Sequence, residues 1–138
     1  MLLLENNLDK IYCMTSFIRP DYYKNKEQTI ELIELIRDMP FSLGNAIKYV
    51  FRCRTKENRI QDLTKALWYL QDYQQNKKPE PYFIPKLKDT EINIILSNTT
   101  EFEHHVITSI YRNWQTKNEY NYQIQYIQRE IEQSSTTA

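Results

Sequence analysis

Residues 41–73, FSLGNAIKYVFRCRTKENRIQDLTKALWYLQDY, decide the fold. On a helical wheel at roughly 100° per residue, Leu43, Ala46, Ile47, Val50 and Phe51 share one side, and Asn45, Lys48, Tyr49 and Arg52 share the other. Such a division is an amphipathic helix with a core face and a narrow row of hydrogen-bond donors. Ser42 is the expected N-cap, since its hydroxyl can accept a bond from a first-turn amide. After a polar connection at residues 54–59 the pattern resumes. Ile60, Leu63, Leu67 and Leu70 make an apolar stripe, while Asp62, Lys65, Tyr69 and Tyr73 recur at i, i+3, i+7 and i+11 on a polar one. If the two apolar stripes meet, the polar rows flank one groove or one partner surface.

Working outward, residues 27–39 alternate Ile30, Ile33, Leu35 and Ile36 with Glu27, Glu31, Glu34 and Asp38, a helix stopped by Pro40. Pro20 forbids a helix through residues 18–23, and a weak helical pattern at Leu4, Leu8, Ile11 and Tyr12 reads as a short N-terminal arm. Downstream, the Lys77-Lys78-Pro79-Glu80-Pro81 run ends the second helix, and residues 82–89 read as an irregular linker. The short run EINIIL at residues 91–96 fits a strand or the first turns of a helix. Thr100 and Glu103 have the spacing of a capping box, opening a helix that buries Phe102, Val106, Ile110 and Trp114. A last helix over residues 119–133 puts Tyr120, Ile124, Ile127 and Ile131 on one stripe, and the Ser-Ser-Thr-Thr-Ala end is expected to fray. The reading is a small all-α protein on a central helix pair: an arm at 1–17, a core at 18–78, a linker at 79–90 and a C-terminal helical extension at 91–138.

Composition narrows the function. The 138 residues suffice for one modest core, and a chain of this size often gains stability by associating, so a homo-oligomer is expected. Eighteen basic and 18 acidic residues cancel, so nucleic acid and anionic membrane are not favoured as partners unless a local patch supplies the charge. Cys13 and Cys53 are single and far apart, which fits buried thiols in a reducing cytoplasm rather than a disulfide framework or zinc knuckle. The apolar run at residues 1–4 is shorter than a signal-peptide core or a membrane span, and the expected location is cytoplasmic. With a single glycine, Gly44, the chain has neither a Walker A loop nor a dinucleotide fingerprint, because both need several positions without Cβ against the phosphates. Any phosphate must therefore be held by side chains or a helix N-terminus. Eleven tyrosines suit base stacking or subunit interfaces.

The motif Gly44-Asn45, Lys48-Tyr49 and Arg52, followed by Lys56 and then Asp62-Leu63, Lys65-Ala66 and Tyr69-Leu70, is preceded by Pro20 with Tyr23 and by Ile30-Glu31. Over residues 18–73 this pattern resembles the phage-encoded family of small nucleotide kinases of the T-odd coliphages. The resemblance implies phosphoryl transfer between nucleotides without a P-loop, in an oligomeric assembly in the host cytoplasm and with no bound cofactor. It implies catalytic roles for Lys48, Arg52, Asp62 and Lys65, and nucleotide binding by Tyr23, Asn45, Tyr49, Lys56 and Tyr69. Phosphoryl transfer asks mainly for positioning and charge neutralisation, which Lys48, Arg52, Arg54, Lys56 and Lys65 could supply. Family members carry histidine before the entry aromatic, where this chain has Tyr22.

Blander and rival readings stand beside this one. Asn45, Lys48 and Arg52 could form an ordinary solvated helix face, Asp62 and Lys65 an i,i+3 ion pair, and Trp68 and Tyr69 packing groups. Glu31 and Glu34, with Asp62 as a third ligand, resemble the magnesium-binding carboxylates of all-α nucleoside triphosphate pyrophosphohydrolases. The neighbours His104 and His105 point about 100° apart on a helix and cannot chelate one ion together. A third reading is a phage counter-defence protein that sequesters a nucleotide or blocks a host defence protein.

Overall fold

The computed structural model describes residues 31–77 and 87–136, and every regular element among them is helical. Helix α1 is Leu32–Ile36, α2 Phe41–Arg52, α3 Arg59–Asn76, α4 Asp89–Ile95, α5 Glu101–Gln115 and α6 Asn121–Thr136, with a 3-10 turn at Cys53–Thr55 between α2 and α3. The expectations for residues 1–17, for the Pro20 turn, and for Cys13, Tyr22 and Tyr23 lie outside the described residues.

The pair α2 and α3 forms an antiparallel hairpin whose apolar sides face inward. Leu43, Ala46, Ile47, Val50 and Phe51 are all buried, as their spacing requires. Helix α3 is rotated from its expected setting. Leu63 and Leu70 are buried, but Ala66 and Tyr73 complete the buried stripe, while Leu67 is only half-buried and Ile60 is 38 % exposed. The cause is α6, which packs along the flank of α3 and covers the side that the hairpin alone would leave wet. Tyr73 meets Tyr120 edge-on at 5.6 Å, and its hydroxyl donates to Asn118 Oδ1 at 3.2 Å. Helix α5 closes the other side against α2, so the C-terminal helices share one core with the hairpin.

Local signals settle the helix ends. Pro40, not Ser42, precedes the first turn of α2, because its backbone already has the extended setting of a cap (φ −54°, ψ 150°). The Ser42 hydroxyl instead donates to Asp72 Oδ2 at 2.7 Å across the hairpin. Glu31 is extended (φ −117°, ψ 166°), so a helix begins at Leu32, and the expectation for residues 27–30 lies outside the described residues. The EINIIL run is helical within α4, which starts at Asp89 inside the expected linker. The Thr100 capping box forms as its spacing predicts, with Glu103 Oε1 accepting from the Thr100 amide at 2.7 Å and hydroxyl at 2.6 Å. Helix α6 continues to Thr136, past the point expected to fray, with the Ser135 hydroxyl donating to the Ile131 carbonyl at 2.9 Å.

Candidate functional site

The outer flanks of α2 and α3 lie side by side along the hairpin. At one end Arg52 Nε is 3.9 Å from Asp62 Oδ1. In the middle the rings of Tyr49 and Tyr69 stack, 6.0 Å apart and 7° from parallel. Lys48 Nζ and Lys65 Nζ, one from each helix, stand 5.1 Å and 5.3 Å from the Tyr49 ring centroid. Each ammonium is held loosely by a ring quadrupole, which orients it without neutralising it. Asn45 lies one turn before Lys48 and Tyr49, its side-chain amide donating back to the Phe41 carbonyl at 2.8 Å. Seven expected residues, Asn45, Lys48, Tyr49, Arg52, Asp62, Lys65 and Tyr69, thus occupy one face.

Asp62 is the unusual member, a carboxylate only 3 % exposed. Burial raises its pKa above the ordinary carboxylate range, and the nearby Arg52 and Lys65 cations lower it by less than burial raises it. A buried acid held this way is easier to protonate than a surface one and is suited to receiving a proton.

Sequence reasoning missed two side chains here. Phe41 is 74 % exposed and Trp68 60 %, and both meet Tyr69 edge-on, at 6.1 Å and 5.2 Å. Trp68 is therefore not a packing group. Its neighbour in sequence to Tyr69 and its place one step off the buried stripe were the available signal. A groove of about 210 Å³ borders Phe41 and is lined by Arg37, Gly44, Asn45 and Lys48.

Other expected members fall elsewhere. Lys56, in a left-handed conformation (φ 67°), lines a separate cleft of about 770 Å³ at the start of α3 with Asn58, Gln61 and Glu130. Arg54 donates to the Phe51 carbonyl at 2.9 Å and lies 3.8 Å over the Phe51 ring, closing the end of α2. Tyr73 is in the core. Glu34 accepts from the Glu31 amide at 3.5 Å, and among the described residues no three His, Cys, Asp or Glu side chains are grouped to hold a metal ion. The structure therefore does not bring Glu31, Glu34 and Asp62 together as a ligand set. His104 and His105 diverge as expected, to Asn93 Oδ1 at 3.1 Å and to the Tyr122 hydroxyl at 3.0 Å.

A second polar cluster is structural. Arg59 donates to the fully buried Glu103 at 3.3 Å and to Glu130 at 2.7 Å, tying α3 to α5 and α6. Burial disfavours the Arg59 cation, but its hydrogen bonds to Glu130 and Glu103 outweigh this and raise its pKa. Cys53 sits under the same guanidinium, and burial pushes its thiol up to about 12, against the pull of Arg59.

Fold and face together define an all-α protein whose central hairpin presents a cation–aromatic surface with a buried acid at one end. Residues 18–71 match a family model, DUF3310, described as a protein of unknown function. That segment holds every expected site residue from Tyr23 to Tyr69 and ends within α3; helices α4, α5 and α6 lie beyond it. No curated protein and no solved structure matches the chain. Among the described residues no helix is long and apolar enough to cross a membrane.

Proposed function

We infer that the chain binds nucleotides on the α2–α3 face and transfers a phosphoryl group between them, as its resemblance to the P-loop-less nucleotide kinases implies. The observation that carries this reading is the convergence of Lys48 and Lys65, 17 residues apart in sequence, on the ring of Tyr49 beside the buried Asp62. Two ammonium groups around one ring can neutralise phosphate oxygens that a glycine-rich loop would otherwise cradle. In the transfer, an oxygen of the acceptor monophosphate attacks the terminal phosphorus of the donor. The bond to the bridging oxygen breaks, and a nucleoside diphosphate leaves. Lys48 and Lys65 bind the equatorial oxygens, Tyr49 and Tyr69 position the base, and Asp62, oriented by Arg52, takes any proton the acceptor phosphate carries.

Incubation with a nucleoside monophosphate and a triphosphate, with magnesium and with EDTA, tests this. Diphosphate formation lost by roughly tenfold or more in Lys48→Ala and in Lys65→Ala is the expected result, since charge-assisted bonds contribute about 1.5–3 kcal/mol each. Wild-type turnover in both variants would refute it. A second reading, retention of nucleotide without turnover, is favoured by the pairing of Arg52 with Asp62, which occupies the buried acid of this face. Tight binding with no diphosphate formed would select it.

A further inference from the structure

The expected charge balance left nucleic acid as a partner only if a local patch supplied the cations, and the α2–α3 face has such a patch. We propose that the row Phe41, Tyr69 and Trp68, with Lys48 and Lys65 beside it, is a platform for single-stranded nucleic acid on which successive bases stack. The proposal rests on the reading of this face as a nucleotide site and extends it from one nucleotide to a strand.

Three features point to an extended ligand. Phe41 and Trp68 are the two most exposed large apolar side chains among the described residues, and they flank one ring, Tyr69. Contiguous exposed aromatic surface of this kind marks an interaction site, and rigid rings accept any base because every base has a π-face. The groove that borders Phe41 is about 210 Å³, below the roughly 300–1,000 Å³ of pockets that enclose a small molecule. It can seat one base or phosphate, and the rest of the ligand must lie across the open row. The face that carries the row is also long: from Phe41 to Arg52 the helix rises roughly 16 Å at about 1.5 Å per residue, with Asn45, Lys48 and Tyr49 between them on the same side.

Charge selects the occupant. Lys48 and Lys65 both stand beside the aromatic row, and the exposed Arg37 lines the groove that borders Phe41. Of the acids on this face, Asp62 is paired with Arg52, and Asp72, whose charge the Ser42 hydroxyl does not cancel, is outnumbered by Lys48, Lys65 and Arg37. A polyanion meets this arrangement with complementary charge. A two-fold pairing of two copies across the row would instead set the lysines of one copy near those of the other.

The test uses the full chain and four probes: an oligothymidylate of about ten nucleotides, its duplex with oligoadenylate, thymidine monophosphate and inorganic polyphosphate. Tryptophan fluorescence and the anisotropy of labelled oligonucleotide are the readouts, with Trp68→Ala, Phe41→Ala and, as an exposed aromatic off the face, Tyr122→Ala. The expected result is that the single strand binds at least tenfold tighter than the monophosphate or the duplex and quenches Trp68. Trp68→Ala and Phe41→Ala should each weaken it about tenfold, and Tyr122→Ala should not. Monophosphate binding with no gain for the strand would overturn the platform and leave the nucleotide reading standing. Binding of neither would overturn both. Equal competition by polyphosphate, with Trp68→Ala silent, would reduce the face to its charge and overturn stacking. A doubled mass without nucleic acid, abolished by Trp68→Ala, would make the row a contact between copies and overturn the proposal.

Discussion

Replacing Arg59 by methionine removes the cation that joins α3 to the C-terminal helices while keeping most of its volume. In the native protein the guanidinium donates to Glu103 Oε2 at 3.3 Å, to Glu130 Oε2 at 2.7 Å and to the Cys53 carbonyl at 3.3 Å. Glu103 is fully buried, and its other oxygen is already used by the Thr100 capping box. Without Arg59, Glu103 Oε2 keeps, among the described residues, only the Cys53 thiol at 3.9 Å. Stranding one partner of a buried pair costs about 3–5 kcal/mol, a large share of the roughly 5–15 kcal/mol that holds a domain folded. Urea unfolding at neutral pH should show that loss in Arg59→Met. Adding Glu103→Gln should recover about 2 kcal/mol or more, because the stranded charge is gone. A loss below about 1 kcal/mol in the single variant, or additive effects within about 0.5 kcal/mol, would refute the view that these helices are joined through a buried charge.

Asp62→Asn should be more stable than the native protein at neutral pH. Its folded pKa is raised by burial, so the folded state holds the proton more tightly, and stability falls as pH climbs from the ordinary carboxylate value through the raised one. The advantage of the variant should vanish in acid, where both states are protonated, and chemical denaturation across pH reads it; an advantage constant with pH would show that Asp62 is not the cause. The same variant should lose phosphoryl transfer. Gly44→Ala should gain about 0.5–1 kcal/mol, because a Cβ there meets Ile36 at 3.6 Å, an ordinary contact, and the residue lies inside α2; a lower melting temperature would count against this. In a Cys13→Ser background, Cys53 should resist a disulfide reagent at pH 8 until the chain unfolds, since its thiol is buried and titrates near 12; rapid native-state labelling would contradict it.

How far the sequence reached follows from the range of the forces. Helical periodicity is local, so the face of Leu43, Ala46, Ile47, Val50 and Phe51, the capping box at Thr100 and the break after α3 could be read directly. The donor row of Asn45, Lys48, Tyr49 and Arg52 was legible for the same reason. A wheel cannot say which flank of α3 another helix will cover. That choice belongs to α6, and it is why Tyr73 is buried while Ile60 is partly exposed. Nor could spacing show that Phe41 and Trp68 stand out in solvent around Tyr69. The Arg59 cluster reaches across 44 residues to Glu103 and 71 to Glu130. Side-chain pattern along one helix determines what that helix must hide, whereas packing between helices distant in sequence decides which charges lose their water and which rings keep a free face.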